Sequence, residues 1–200
     1  MSADTLSPRL ASLLALQRAE EPATIILPQE VTAGDLIRGL EDGTYDAGIA
    51  LAGTTTVFSM NAQPLWADEL ALAVPLRSPL LAYPEVPLDA LLRYPLLQWC
   101  LRACDSLSQQ VAARFGPEMH SVKEVTSVDL LAVLVAAGLA VGIAPRSHIA
   151  RARGWGVAMR PLTNGPYVIS TQLLRKPHGS ARAVERFAER AVKVAATEAA

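Results

Sequence analysis

The chain is poor in the residues that staple or metallate small proteins. Its 200 residues include two cysteines, Cys100 and Cys104, and three histidines, His120, His148 and His178. One cysteine pair makes no disulfide framework, and these few nitrogens and sulfurs show no metal-ligand spacing. Reduced cytosolic thiols are the plainer reading. No apolar run approaches the ~20 residues of a membrane span. The longest candidate, Leu130 to Ala144, carries two glycines and meets Pro145. Met1 to Leu10 lacks a basic segment followed by an apolar core, so no secretory signal is read there and a cytoplasmic location is expected. No charge of one sign dominates: the net charge is −1, which gives the chain no overall footprint for nucleic acid.

Apolar residues are plentiful, at 51% with aromatics only 5%, enough to fill hydrophobic cores and to exclude disorder. Charge is unevenly spread. Residues 1–100 hold 5 basic and 12 acidic groups, and residues 101–200 hold 13 and 7.

Hydrophobic spacing orders the elements. Thr5 to Glu20 reads as a helix, with Leu6, Leu10, Leu13, Leu14 and Gln17 on one face and Pro8 in its first turn. Thr24 to Leu27 is a β-branched run expected to be a buried strand. Thr32 would cap a helix reaching Glu41, and Gly43 would stop it. Asp46 to Leu51 reads as a strand, closing a βαβ unit. Strands follow over Glu69–Pro75 and Leu96–Cys100, with one or two helical turns at Leu88–Arg93. Asp105 or Ser106 would cap a helix to Phe115. Ser121–Val125 is a strand. Ser127 opens the strongest helix, with Leu130, Leu131, Leu134 and Val135 on one side and Gly138 at its end. Val141–Ala144, Val157–Leu162 and Tyr167–Leu174 are further strands. Ser180 would cap a last helix.

Helices alternating with short buried strands in two blocks predict an α/β fold of two Rossmann-like lobes. The predicted lobes are residues 1–73 with 170–200, and residues 74–169, joined by two crossover strands that form a hinge beside a cleft. With that division the second lobe carries 9 basic and 6 acidic residues, and the first 9 and 13. A basic lobe favours an anionic ligand, or equally a head-to-tail pairing of two chains.

Ligands of open α/β sheets sit where helix N-termini point. Four helix starts carry capping side chains: Thr5 with Ser7, Thr32, Asp105 with Ser106, and Ser127. Converging on one cleft, their N–H groups and dipoles would make an anion site. Ordinary capping explains each one singly. Thr126 and Ser127 stand out because two hydroxyls end a strand and open a helix. Arg102, after the Leu96–Cys100 strand, could clamp a carboxylate or be a solvated surface residue. Trp99 could line the cleft, although core packing is the commoner fate. Cys100 and Cys104 fit a redox pair less well than two small buried residues.

Catalysis finds little support. Cys100, His120 and Asp105 could be named as a nucleophile set, but no spacing joins them. Gly138-Leu139-Ala140-Val141-Gly142 lacks a third glycine and precedes a strand, so it is no phosphate loop. No catalytic residue, metal or cofactor is expected.

Five passages in order resemble the effector-binding domain of LysR-type transcriptional regulators. They are Leu36 to Ile49 (LIRGLEDGTYDAGI), Trp66 to Pro75 (WADELALAVP) followed by Ser78-Pro79-Leu80, Tyr94-Pro95-Leu96-Leu97, Val125-Thr126-Ser127, and Leu134 to Pro145 (LVAAGLAVGIAP). Together they span nearly the whole chain. The resemblance implies a type 2 periplasmic-binding-protein-like fold that binds an inducer between its lobes to control transcription. It places ligand contacts at Asp4, Thr5, Thr32, the loop Cys100-Leu101-Arg102, and Thr126 with Ser127. The expected ligand is a small carboxylate. The resemblance also implies a homodimer or higher homo-oligomer, and DNA binding only through a winged helix-turn-helix that this chain lacks. The family's usual first strand would fall just ahead of Ser2, which leaves a gap for another segment or subunit to fill. The alternatives are an enzyme or a stand-alone solute-binding protein on the same scaffold.

Overall fold

The computed structural model describes all residues except 2–4, 53–59, 100–103, 117–121, 126, 177–180 and 198–200. The chain divides into two compact units, Met1–Ala67 with Ser170–Ala200, and Asp68–Ile169. The crossings fall inside two long strands, β2 (Asn61–Pro75) and β7 (Tyr167–Arg175).

In the first unit, helix α1 covers Pro8–Glu20. Ser7 caps it, its Oγ accepting from the Leu10 N–H at 3.4 Å. Thr5, expected with Ser7 at this helix start, is buried at 2% exposure. Helix α2, Ala33–Asp42, starts at Thr32 and ends at Gly43, whose φ of 86° suits a residue without a Cβ. Strand β1, Gly48–Leu51, pairs antiparallel with β7 from Gly48↔Leu174 to Leu51↔Thr171. α2 presses on it so closely that a Cβ on Gly48 would meet Leu36 Cδ1 at 2.8 Å. Helix α6, Arg182–Thr197, packs against α1, and Leu10, Leu13, Leu173, Ala188 and Ala191 share one core.

The expected strand at Thr24–Leu27 does not form; the segment is irregular, with Ile25 and Leu27 83% and 79% exposed. Its β-branched residues suit a sheet, but among the described residues no strand lies beside it, so the predicted βαβ unit is not completed.

In the second unit β2 pairs antiparallel with β5 (Val141–Pro145) and with β6 (Val157–Arg160). β3 (Leu96–Gln98) pairs parallel with β5 and with β4 (Val122–Glu124). The parallel strands follow from the helical crossovers α3 (Asp105–Phe115) and α4 (Val128–Ala136). α4 buries Leu131, Ala132 and Val135 in the core with Trp99, Ala144 and Ile149. Leu130, expected inward, is 48% exposed and Val133 52%. The helix tilts its stripe by one position, so that Ala132 packs where a leucine had been expected.

Helix α5, Arg146–Arg151, carries no long apolar stripe and went unread in the sequence. Polar contacts to β2 hold its start: Ser147 Oγ donates to Asp68 at 2.5 Å and Arg146 pairs with Glu69 at 2.7 Å.

Candidate functional site

The helix starts expected to hold an anion differ in what their caps leave available. At Ser127, Oγ accepts from the N–H groups of Asp129 (3.2 Å) and Leu130 (3.4 Å), and the Ser127 carbonyl accepts from Leu131 (3.1 Å). Two of the donors that a helix start leaves unpaired, Asp129 and Leu130 N–H, are thereby used, while the Leu131 bond is the first of the helix itself; Val128 N–H is not used by the cap. Ser127 is half-buried on extended backbone, φ −136° and ψ 131°. Val125 N–H donates to the Gln98 carbonyl at 3.0 Å, so the strand end beside Thr126 is anchored to β3. Thr126 itself lies outside the described residues.

At Thr32, the hydroxyl accepts from Asp35 N–H (3.1 Å) and donates to Asp35 Oδ2 (2.6 Å). Hydrogen bonds from Thr32 and from Arg38 hold the Asp35 carboxyl below its usual range. Asp35 is therefore ionised at neutral pH, and its charge occupies the positive end of the α2 dipole.

The third helix start corrects an expectation. Neither Asp105 nor Ser106 caps α3. Cys104 takes the N-cap position with no side-chain cap bond, its Sγ 3.5 Å from Ser106 Oγ. Cys104 is buried and acts as a small apolar residue there. Asp4, Cys100, Leu101 and Arg102 lie outside the described residues. Trp99 is 3% exposed within the core of its unit, which settles it as a packing residue.

Sequence reasoning missed a cavity of about 470 Å³ in the first unit. Leu10, Leu14, Ile25, Leu27, Ile49 and Phe187 line much of it. Of the residues expected to bind ligand, the described ones, Thr5, Thr32 and Ser127, do not border it. The signal was present in the Thr24–Leu27 run, whose apolar residues need a neighbour they lack.

Among the described residues no three His, Cys, Asp or Glu side chains gather as a metal site. No helix of the described residues is long and apolar enough to cross a membrane.

The LysR substrate binding domain model matches residues 1–196. A comparison with curated proteins finds no match. Among solved structures, full-length BenM E226K superposes with TM-score 0.78 at 20% identity, over 95% of this chain and 64% of that one. The chain thus spans less than two thirds of that regulator. The BenM effector binding domain with its effector benzoate gives 0.78 at 20% identity, over 95% and 87% of the two chains. The QuiR effector binding domain in complex with shikimate gives 0.80 at 16%, over 98% and 94%.

Proposed function

We propose that this chain, which belongs to the LysR substrate binding domain family, senses a small anionic effector on behalf of a transcriptional regulator. Its fold is the mixed α/β one of type 2 periplasmic binding proteins.

The observation that carries the reading is the family match over residues 1–196, joined to the geometry at the start of α4. A strand end, the Ser127 hydroxyl and a helix N-terminus meet there, with Val128 N–H not used by the cap. Thr126 and Ser127 would supply hydroxyl donors to a carboxylate, and the α4 dipole would add ~0.3–1 kcal/mol. Thr32, Asp4 with Thr5, and Cys100 to Arg102 complete the proposed contact set. Arg102 would bring the one full positive charge among them. Benzoate and shikimate, named with BenM and QuiR, are both carboxylates, which supports the same ligand class here.

Regulation follows only when the effector prefers one conformational state of the regulator over another. We infer further that the chain works as a homodimer or higher homo-oligomer, supported by apolar side chains left exposed in the second unit: Leu130, Val133 and Leu139. DNA binding and transcriptional control would belong to the longer regulator.

A thermal-shift panel of small carboxylates tests the function. A ligand at 100 times its Kd raises stability by about 2.7 kcal/mol, so one or a few acids should raise the melting temperature in a saturable way. Turnover of a bound acid, abolished by Cys100→Ser, would make the chain an enzyme and overturn the reading.

A further inference from the structure

The turn between Leu162 and Tyr167 is anchored at both ends and open in the middle. Leu162 is bridged to Val86, and Thr163 N donates to the Val86 carbonyl at 3.1 Å. On the far side Tyr167 opens β7 and is buried at 3% exposure. Its hydroxyl donates to the Thr163 carbonyl at 2.9 Å. Between these anchors Asn164 and Gly165 are exposed. Among the described residues neither the Asn164 side chain nor the Gly165 N–H makes a hydrogen bond. Asn164 sits at φ 63°, a conformation that asparagine tolerates better than most residues.

An asparagine followed by glycine has a nucleophile next to its own amide. The Gly165 nitrogen, once deprotonated, can close on the side-chain carbonyl carbon of Asn164. A new C–N bond forms, the bond from Cγ to the amide nitrogen breaks, and ammonia leaves with the proton that Gly165 gave up. Water then opens the cyclic imide at either carbonyl, giving aspartate or isoaspartate. No electron is transferred, and water is the one co-reactant. Glycine suits the attack because no Cβ crowds its nitrogen. The local charge suits it too. No acidic residue stands between Leu130 and Val184, whereas Arg146, Arg151, Arg153 and Arg160 do. Positive surroundings favour the deprotonated amide that attacks.

Two other positions lack this combination. Asn61 precedes Ala62 and lies in β2. Asp42 precedes a glycine, but its Oδ1 accepts from Thr44 N at 2.8 Å, and hydrogen bonds from Thr44 hold its carboxyl below the ordinary range. An ionised carboxylate is a poor target for a nucleophile. We propose that Asn164 is a site of spontaneous deamidation in the folded chain, and that its isoaspartyl form loosens the start of β7. Isoaspartate routes the backbone through an extra methylene, so the turn can no longer hold the Thr163 carbonyl under the Tyr167 hydroxyl.

The test incubates the folded native chain in mildly alkaline buffer, maps its tryptic peptides by mass and reads isoaspartate by enzymatic methylation. The peptide of residues 154–175 should exchange amide for acid with release of ammonia, and the peptide holding Asn61 should not. Asn164→Gly, which admits the same positive φ, should abolish both the exchange and the methylation in that peptide. The isoaspartyl fraction should unfold at a lower denaturant concentration than Asn164→Asp, which carries the same charge without the added methylene. Deamidation seen only in urea, or as fast at Asn61 as at Asn164, overturns the proposal. An isoaspartyl chain as stable as Asn164→Asp overturns the loosening of β7.

Discussion

The rings of Trp99 and His148 lie 5.0 Å apart and are tilted by 37°. Trp99 extends from β3, its N–H donating to the Ile143 carbonyl at 3.1 Å, and His148 rises from α5 beneath it. Both are buried, at 3% and 9% exposure. Arg151 Nη2 lies 3.1 Å from His148 Nδ1. An arginine can only donate, so Nδ1 accepts and the imidazole is neutral.

This pair predicts a pH dependence. Burial pushes the His148 pKa below its ordinary value and Arg151 adds to the fall, while Asp68 and Asp129 pull the other way. A histidine depressed in the folded state binds protons more readily when unfolded. Stability is therefore full above the unfolded value of 6.5 and declines as pH drops through it. Urea midpoints at about pH 7.5 and about pH 5.5, a window above the carboxylate range, should fall toward acid. His148→Phe, which keeps a ring against Trp99, should flatten that slope.

Gly142 of β5 lies under α4, where an added Cβ would meet Leu131 Cδ2 at 2.6 Å and Cγ at 2.7 Å. Leu131 is 1% exposed and has nowhere to retreat. Gly142→Ala should cost about 1–3 kcal/mol by overpacking, read as a lower denaturation midpoint. Leu131→Ala should cost about 2–5 kcal/mol through the cavity it leaves.

Arg190 of α6 fastens α1. It reaches Glu20 Oε2 at 2.8 Å, Glu21 Oε2 at 2.9 Å and Gln17 Oε1 at 2.8 Å, and Arg186 pairs with Glu21 as well. The Arg186 hydrogen bond foremost, with those of Gln17 and Arg190, brings the Glu21 pKa down to about 2. A depressed carboxyl stabilises above its unfolded value of 4.5 and loses that contribution as pH falls toward about 2. Glu21→Gln should make acid unfolding shallower between these values. Arg190→Met should lower the melting temperature at neutral pH by leaving Gln17 and Glu21 short of a partner.

Much of the fold was legible because period and punctuation agreed. Thr32 and Gly43 bound α2 as read, and Ser127 opens α4 by the predicted cap bonds. Two misreadings have distinct causes. Thr24–Leu27 has strand propensity, yet a strand exists only where a neighbour shares its ladder, and local sequence does not say whether one is there. Asp105 and Ser106 have capping chemistry, yet α3 begins one residue earlier, at buried Cys104. The start of α4 was legible to the residue, as a cap at Ser127. The cavity beside Ile25 was not, because its walls come from distant segments, with Phe187 far along the chain from Leu10.

Ser127 separates a structural role from a binding one. Ser127→Ala should cost ~1 kcal/mol through the lost cap. Ser127→Asn should restore stability, since asparagine caps as well as serine. If Ser127 also meets the effector, Ser127→Asn will retain the melting temperature of the native chain and still bind the effector more weakly.

The most direct measurement is isothermal calorimetry of the native chain and of Thr126→Ala against small carboxylates such as benzoate and shikimate. The account predicts saturable binding of at least one carboxylate to the native chain. It predicts a loss of about tenfold or more in Thr126→Ala, as removal of a hydrogen bond to a charged group demands. Binding of the same strength in both proteins, or no carboxylate bound by either, would contradict it.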